Sequence, residues 1–540
     1  MIKNINKQLV MKKILIYAVG VFLLAGTVSS CKKTLSTDYQ NPQLINTGSL
    51  PKLLTGMFLN PRIHPSYWDF YTQARLTTGA FSQLVALAPG TQMYIPNINY
   101  NESRWDHYYS GATQSDPTAF DYNYSGPGIM SSYREMQTTY AALDTAEKAA
   151  QLVYLECAKV ILDDQTAQMV DLWGDIPFFK AGSLNVDRTI SYAPFDDAKT
   201  IYDTLINDLA SVNTWMATAT LTSDVQSVLK AQDILLGGDL SAWRRYANSL
   251  RLRLLMRISY SDEATAKAAV TTMLGDPTTY PLIMSNDQNV TLKMSPTDLK
   301  SDMESALGGA FAPSYLVDTL QVANGDPRTV VMWDSAQFQP YKGFSDTGTV
   351  AEYEGGVGVY TVYDTVTFIN NYNVPGVLLT AAEVSFLTAE ANERWGAGST
   401  PAATAYANGI NQSVAFYYGI NQSSILKPGP TWPTTPSPSQ TAIDAYIANV
   451  AYTGTQAQKL QLIATQNWIN FFILQAGQAW AEVRRTGYPQ LHFFTATNAN
   501  ASQPPTRLLY PPNEALYNAS NYAAEAPKDL STGKIFWQVK

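Results

Sequence analysis

The sequence predicts a mainly α protein in which helix pairs recur along the chain, with the segments between them forming a loop-rich face that carries a few short strands. Three observations support this. Helical runs bounded by capping signals come in couples, as in a tetratricopeptide-like stack. The intervening stretches hold Gly and β-branched residues with only brief alternation. Nothing follows the strand–helix alternation of a doubly wound sheet.

In chain order, the N-terminus comes first. Lys3, Lys7, Lys12 and Lys13 precede an apolar run from Ile14 to Gly26, followed by Val28-Ser29-Ser30-Cys31. Basic residues before an apolar run shorter than the ~20 residues of a membrane span read as an export signal. Small residues ahead of Cys31 are similar to the bacterial lipobox, so residues 1–30 are expected to be a lipoprotein signal peptide and Cys31 the acylated N-terminus of the mature chain. Removing four Lys and no acids from a chain of net charge -8 leaves -12. No later stretch of the sequence approaches 18 unbroken apolar residues, so the membrane is expected to be reached through the lipid.

The first helix couple is expected over 130–150 and 153–173, where Gly174 and Pro177 stop the second member. The next is expected over 195–214 and 241–260. In the third, Thr380 and Glu383 form a capping box, Gly396 ends the first helix, Thr400-Pro401 open its partner and Gly419 closes it. The fourth covers 442–449 and 457–486, where Arg484 and Arg485 suit the C-terminal dipole and Gly487 takes the left-handed cap. The loop-rich ligand face is expected near 60–125 and 280–375. Cys157, on a helical run, reads as a buried thiol.

Composition narrows the function. The chain has 540 residues, 46% hydrophobic, 12% aromatic and only 15% charged, against roughly 25% in an average soluble domain. Polar uncharged residues and 33 Tyr must therefore solvate much of the surface. With 3 His and 2 Cys no Cys/His zinc cluster can be assembled. The negative charge argues against nucleic acid as a partner. No cofactor is expected, and no ligand set for a structural calcium stands out among the acidic loops.

A set of motifs, in order and spacing, resembles the SusD/RagB outer-membrane nutrient-binding lipoproteins, in particular the second SusD-like subgroup. They are Asp38-Tyr39-Gln40-Asn41-Pro42, Trp173-Gly174-Asp175-Ile176-Pro177, and Ala247-Asn248-Ser249-Leu250-Arg251-Leu252-Arg253. Further on come Asp326-Pro327-Arg328, then Leu378-Leu379-Thr380-Ala381-Ala382-Glu383 through Ala389-Glu390-Ala391. The last are Ala479-Trp480-Ala481-Glu482-Val483-Arg484-Arg485-Thr486-Gly487-Tyr488-Pro489 and Arg507-Leu508-Leu509-Tyr510-Pro511. The resemblance implies a SusD-like fold: residues 31–540 as one nutrient-binding domain, with four tetratricopeptide-like helix pairs near 130–173, 195–260, 380–419 and 442–487. It implies a lipid-anchored outer-membrane protein facing the cell exterior, although Lys32 and Lys33, not acids, follow Cys31. It also implies a SusC-like TonB-dependent β-barrel transporter as partner and an oligosaccharide, or alternatively a peptide, as cargo.

Sugar recognition needs flat rings for C–H faces and planar polar groups for hydroxyls. Trp173, Trp243, Trp395, Trp468, Trp480 and Trp537 lie at scaffold positions and are expected in the core, which leaves Trp68, Trp105, Trp333 and Trp432. Ligand-binding candidates are Trp105, Tyr108, Tyr94, Tyr100, Trp333 and Tyr341, from the aromatic 91–125 stretch and the 324–345 segment. The rival reading is a glycoside hydrolase using Glu383 and Glu390. Seven residues of helix place that pair roughly 10 Å apart along the axis, and Glu383 is expected to cap its own helix, so no enzyme is expected. Asp163-Asp164 and Asp196-Asp197 read as solvated or capping residues, and His492 as structural.

Overall fold

The computed structural model describes residues 48–87, 89, 94–112, 126–186, 188–189, 192–293, 302–356, 358–426, 432–493 and 503–540. The signal segment, Cys31 and the Asp38–Pro42 motif lie outside the described residues, as do Phe120, Tyr122 and Tyr124.

Helices dominate. After α1 (Leu50–Phe58) and α2 (Ile98–Tyr109) come α3 (Ile129–Ala141) and α4 (Thr145–Trp173), which pack together. Asp144 and Glu147 close a capping box at the start of α4, and Gly174 at φ 82° ends it. The expected boundary near residue 150 therefore moves to 142–144, where Asp144 supplies the cap. Next are α5 (Ala198–Thr218) and α6 (Leu240–Arg257), then α7 (Ala381–Trp395) with α8 (Ala402–Gln422), both packed as pairs. The last group is α9 (Gln440–Asn449), α10 (Gln456–Phe471) and α11 (Ala476–Thr486).

The expected single helix over 457–486 is broken. Phe472 adopts φ 42°, and a 3-10 turn at Ile473–Gln475 separates α10 from α11. A positive φ at a bulky residue is costly and persists only where packing dictates it. Phe472 is fully buried, with Trp333 at 4.9 Å, Tyr363 at 5.5 Å, Phe368 at 5.7 Å and Tyr417 at 6.0 Å between ring centroids.

Strands are few and short. Among the described residues, three two-stranded antiparallel ribbons pair Gly111–Ala112 with Gly126–Pro127, Val290–Leu292 with Gly376–Leu379, and Trp333–Asp334 with Val362–Tyr363. One hydrophobic cluster gathers α1 to α6 with the C-terminal segment around Leu508, Tyr510 and Trp537. A second gathers residues around Phe70, Trp333, Tyr363 and Phe386 with α8, α9 and α10.

The recurring sequence motifs clasp one another. The Trp173 indole donates to the Leu509 carbonyl at 2.9 Å, Leu508 N–H donates to Leu172 O at 2.8 Å, and the Tyr510 hydroxyl donates to Asp175 O. The Asp175 carboxylate accepts from Ala198 N at 2.8 Å and so holds the start of α5. Between helix groups the motif charges pair in the interior. Arg253 of α6 forks onto Glu383 of α7 at 2.5 and 2.7 Å, and Arg485 of α11 reaches both Glu390 and Glu482 at 2.5 Å. Arg484 and Arg485 are thus buried partners rather than dipole caps at a helix end. Arg484 lies 3.7 Å from the centre of the Trp480 ring and donates to Asp171 O and Thr506 O.

Asp163 and Asp164 also depart from the expectation of a solvated pair: both are buried on α4. Asp164 accepts from Tyr246 at 2.8 Å and faces Arg253 at 3.3 Å. Asp163 has no hydrogen-bond partner among the described residues, and burial, with Asp208 nearby, pushes its carboxyl well above the usual range. Asp196 and Asp197 do accept backbone bonds, from Phe178 and Phe179 and from Thr200. Among the described residues no helix is long and apolar enough to cross a membrane.

Candidate functional site

A π-helical turn over Phe70–Thr78 continues the short helix Tyr67–Asp69, which Ser66 and Asp69 cap reciprocally. Such turns are rare and are found often at functional sites. Its inner residues Phe70, Thr72, Thr77 and Thr78 are buried. Tyr67, Trp68, Tyr71 and Arg75 are half-buried.

The Trp68 and Tyr71 rings lie 5.7 Å apart and nearly parallel, at 24°. Tyr100 of α2 stands edge-on to both, at 5.6 Å and 84° and at 6.5 Å and 71°, and Tyr67 stands edge-on to Trp68 at 6.1 Å. The Gln73 amide donates to Tyr100 O at 3.0 Å and ties α2 to the turn. Burial, and then Tyr71, raise the Tyr100 hydroxyl pKa, so it stays a neutral donor. The Trp68 indole N–H is covered and has no partner among the described residues, an unmet donor at the patch.

The Arg75 guanidinium lies 5.6 Å from the centre of the Tyr71 ring and donates to Ala306 O at 3.0 Å. Its charge also reaches the Tyr353 hydroxyl, whose pKa it draws down against the larger upward effect of burial. Tyr353 belongs to a second ring group with Phe311 at 4.9 Å and Phe344 at 5.2 Å, which Tyr360 joins at 5.1 Å from Phe344. Arg75 makes no ion pair among the described residues, so one guanidinium bridges two aromatic groups. Flat apolar rings beside an amide, hydroxyls and a guanidinium are the chemistry that a pyranose requires.

The residues expected to bind ligand divide between core and surface. Trp105 is 4% exposed, edge-on to Trp173 at 5.2 Å and to Tyr510 at 5.9 Å. Tyr108 is fully buried and shares a 2.6 Å hydrogen bond with Thr166. Trp333 is 1% exposed, donates to Gln321 at 2.7 Å and packs on Tyr363 and Phe472. Tyr94 is buried against Phe493 at 5.2 Å. A ring so enclosed offers no face to a sugar, whereas the half-buried rings at the π-helical turn keep part of theirs. Tyr341 is half-buried, beside Asp364 and Asp334. Tyr100 keeps its place in the patch.

Sequence reasoning set Trp68 aside and missed Tyr67, Tyr71 and Arg75. Positions 67, 68, 71 and 75 follow helical spacing and share a face, which is the signal that could have found them. The tryptophans assigned to the scaffold are buried, except Trp395, which is half-buried and donates to Glu263 at 2.9 Å. Trp432 is exposed.

The carboxylates considered for catalysis are committed elsewhere. Glu383 is 1% exposed and bound by Arg253; its backbone N–H is capped by Thr380, while its own carboxylate does not return to close the box. Burial pushes the Glu390 carboxyl up, but Arg485 and Arg394 outweigh it and hold the group below its ordinary range. Glu390, so held, stays ionised and has no proton to give a substrate, and Glu383 is occupied by Arg253. His492 packs edge-on to Tyr315 at 6.1 Å. Among the described residues no group of three His, Cys, Asp or Glu could hold a metal ion.

Residues 52–511 match the SusD-like family described as starch-binding, associating with the outer membrane. A chitin-binding protein of known structure is 22% identical, with a TM-score of 0.70 over 91% of this chain and 100% of its own. A SusD homologue from Bacteroides fragilis is 19% identical, with a TM-score of 0.69 over 91% and 99%. A chitin-binding SusD homologue from Flavobacterium johnsoniae is 20% identical, with a TM-score of 0.66 over 91% and 99%. At these identities the likeness is one of fold. No curated protein matches.

Proposed function

The chain belongs to the SusD-like family of outer-membrane-associated binding proteins, and on that premise we propose that it captures a neutral oligosaccharide at the Trp68–Tyr71–Tyr100 patch and passes it to a TonB-dependent β-barrel transporter. Members of this family bind their ligands and do not transform them.

The observation that carries the placement is the ring arrangement: two nearly parallel faces, a third edge-on, and a single guanidinium. Apolar C–H faces of pyranoses lie on the rings, while Arg75, Gln73 and the tyrosine hydroxyls meet the sugar hydroxyls. Affinity at such a patch is modest, because each sugar hydroxyl exchanges water for protein at a net gain of about 1 kcal/mol or less. Cys31, acylated after signal removal, anchors the protein to the outer membrane with its binding face outward.

Two experiments test the proposal. Calorimetry of the chain with starch and chitin oligosaccharides should show binding that Trp68→Ala weakens. Purification of the lipidated form from its native membrane should recover a β-barrel transporter, whereas Cys31→Ala should leave the membrane fraction. Absence of glycan binding together with absence of a co-purifying barrel would refute the capture model.

A further inference from the structure

A second concavity lies away from the ring patch and shares no residue with it. It opens between the Tyr315–Asn324 segment and the junction of α9 with α10, and has a volume of about 460 Å³. That falls within the roughly 300–1,000 Å³ of small-molecule sites. We propose that it is a second saccharide site, one that takes the end of a neutral glycan.

The lining holds no charged side chain. The smaller cavity beneath the π-helical turn, about 120 Å³, is by contrast lined by Arg62, Asp69, Arg104 and Asp171. A phosphorylated ligand, or a peptide with free termini, brings charges that an uncharged lining leaves unpaired, at high cost. A neutral sugar brings none. Its C–H face is served by Tyr315, half-buried and held by the edge of His492, with Leu320 and Leu462 beside it. Burial raises the Tyr315 hydroxyl pKa, so it stays a neutral donor.

Hydroxyl partners are present and unspent. The side chains of Gln461 and Thr465 project from successive turns of α10 and make no hydrogen bond among the described residues. Asn449 donates its amide to Asn324 O at 2.9 Å, which joins the two walls and leaves its carbonyl oxygen to accept.

The frame is fixed in advance. Thr455 and Gln458 close a capping box at the start of α10, and Gly454 at φ 97° brings the loop so close that a Cβ there would meet the Gln458 carbonyl oxygen at 2.5 Å. At the floor, Gln466 is held by Arg328 at 2.8 Å and by Tyr446 at 2.7 Å, and Arg328 is itself fixed by Asp326. Preorganised walls with unspent donors spare a ligand the cost of ordering them.

The inference rests on the proposed function only for its ligand class. The test uses the full chain with maltotriose and triacetylchitotriose as probes, read by calorimetry and by saturation-transfer NMR. In a Trp68→Ala background one of the probes should still bind. Adding Gln461→Ala, or filling the cavity with Ala451→Trp, should then weaken that binding by about tenfold or more, with the denaturation midpoint unchanged. Loss of all binding on Trp68→Ala alone overturns the second site and leaves the ring patch standing. Residual binding indifferent to Gln461→Ala and Ala451→Trp also overturns it, as does wild-type protein that binds neither probe. If Trp68→Ala changes nothing and the cavity variants abolish binding, the ring-patch placement fails and this proposal stands.

Discussion

The helix groups and the loop-rich face use the same residue types for opposite ends. In the helix groups, tryptophans are enclosed and arginines are spent. Trp173, Trp243, Trp468 and Trp480 are buried, and Arg253 and Arg485 each grip buried carboxylates. At the π-helical turn, Trp68, Tyr71 and Tyr100 keep part of their surface, and Arg75 is bound to a carbonyl and lies by the Tyr71 ring, with no carboxylate partner among the described residues. The difference teaches that aromatic or cationic content does not mark a site in this chain. What marks one is whether the ring faces and guanidinium donors are already consumed.

That contrast can be broken by mutation, and the largest effect belongs to the scaffold. Arg485→Ala leaves Glu390 and Glu482 buried without their cation and should cost about 3–5 kcal/mol, seen as a large fall in the denaturation midpoint. Trp333→Ala and Trp105→Ala should each cost a similar amount, about 3–5 kcal/mol for a buried large ring, and alter glycan binding only as far as folding is lost.

His107, buried on α2, comes next. Burial, then Arg104 and Arg62, lower its pKa from 6.5 to about 3. As pH falls, the unfolded chain takes up the proton first, so stability present above about pH 6.5 is lost progressively down to about pH 3. The stability gap between His107→Gln and the wild type should shift in favour of the variant across that window, as measured by denaturant titration at several pH values. Asp144→Ala, which removes the cap of α4, should cost about 1 kcal/mol. Trp68→Ala, which removes a half-buried ring, should cost about 1 kcal/mol, well below the cost of a fully buried ring.

Much of the scaffold was legible in the sequence because its signals are local or repeat as motifs. Gly174, Gly396 and Gly487 end helices where their positions implied, and all three adopt positive φ. The break at Phe472 was not legible, since the rings that force it come from segments more than fifty residues away. The same limit governed the site. Aromatic density in 91–125 pointed to Trp105 and Tyr108, but their burial depends on Trp173, Tyr510 and Thr166, contacts that no local pattern reports. Tyr100, from the same stretch, stands at the start of α2 beside the π-helical turn and stays half-buried. Asp163 and Asp164 misled for a related reason, because adjacent acids usually face water and here one of them serves Arg253.

The central claim is that glycan is held by the half-buried rings of the π-helical turn and not by enclosed rings such as Trp105 and Trp333. Calorimetric titration of a starch oligosaccharide into wild type and Trp68→Ala, with the denaturation midpoint measured on the same samples, tests it most directly. The account predicts affinity weakened by about tenfold, or 1.4 kcal/mol, with a midpoint that falls far less than in Trp105→Ala or Trp333→Ala. Undiminished affinity in Trp68→Ala, or a midpoint that falls as far as in those two variants, would contradict the claim.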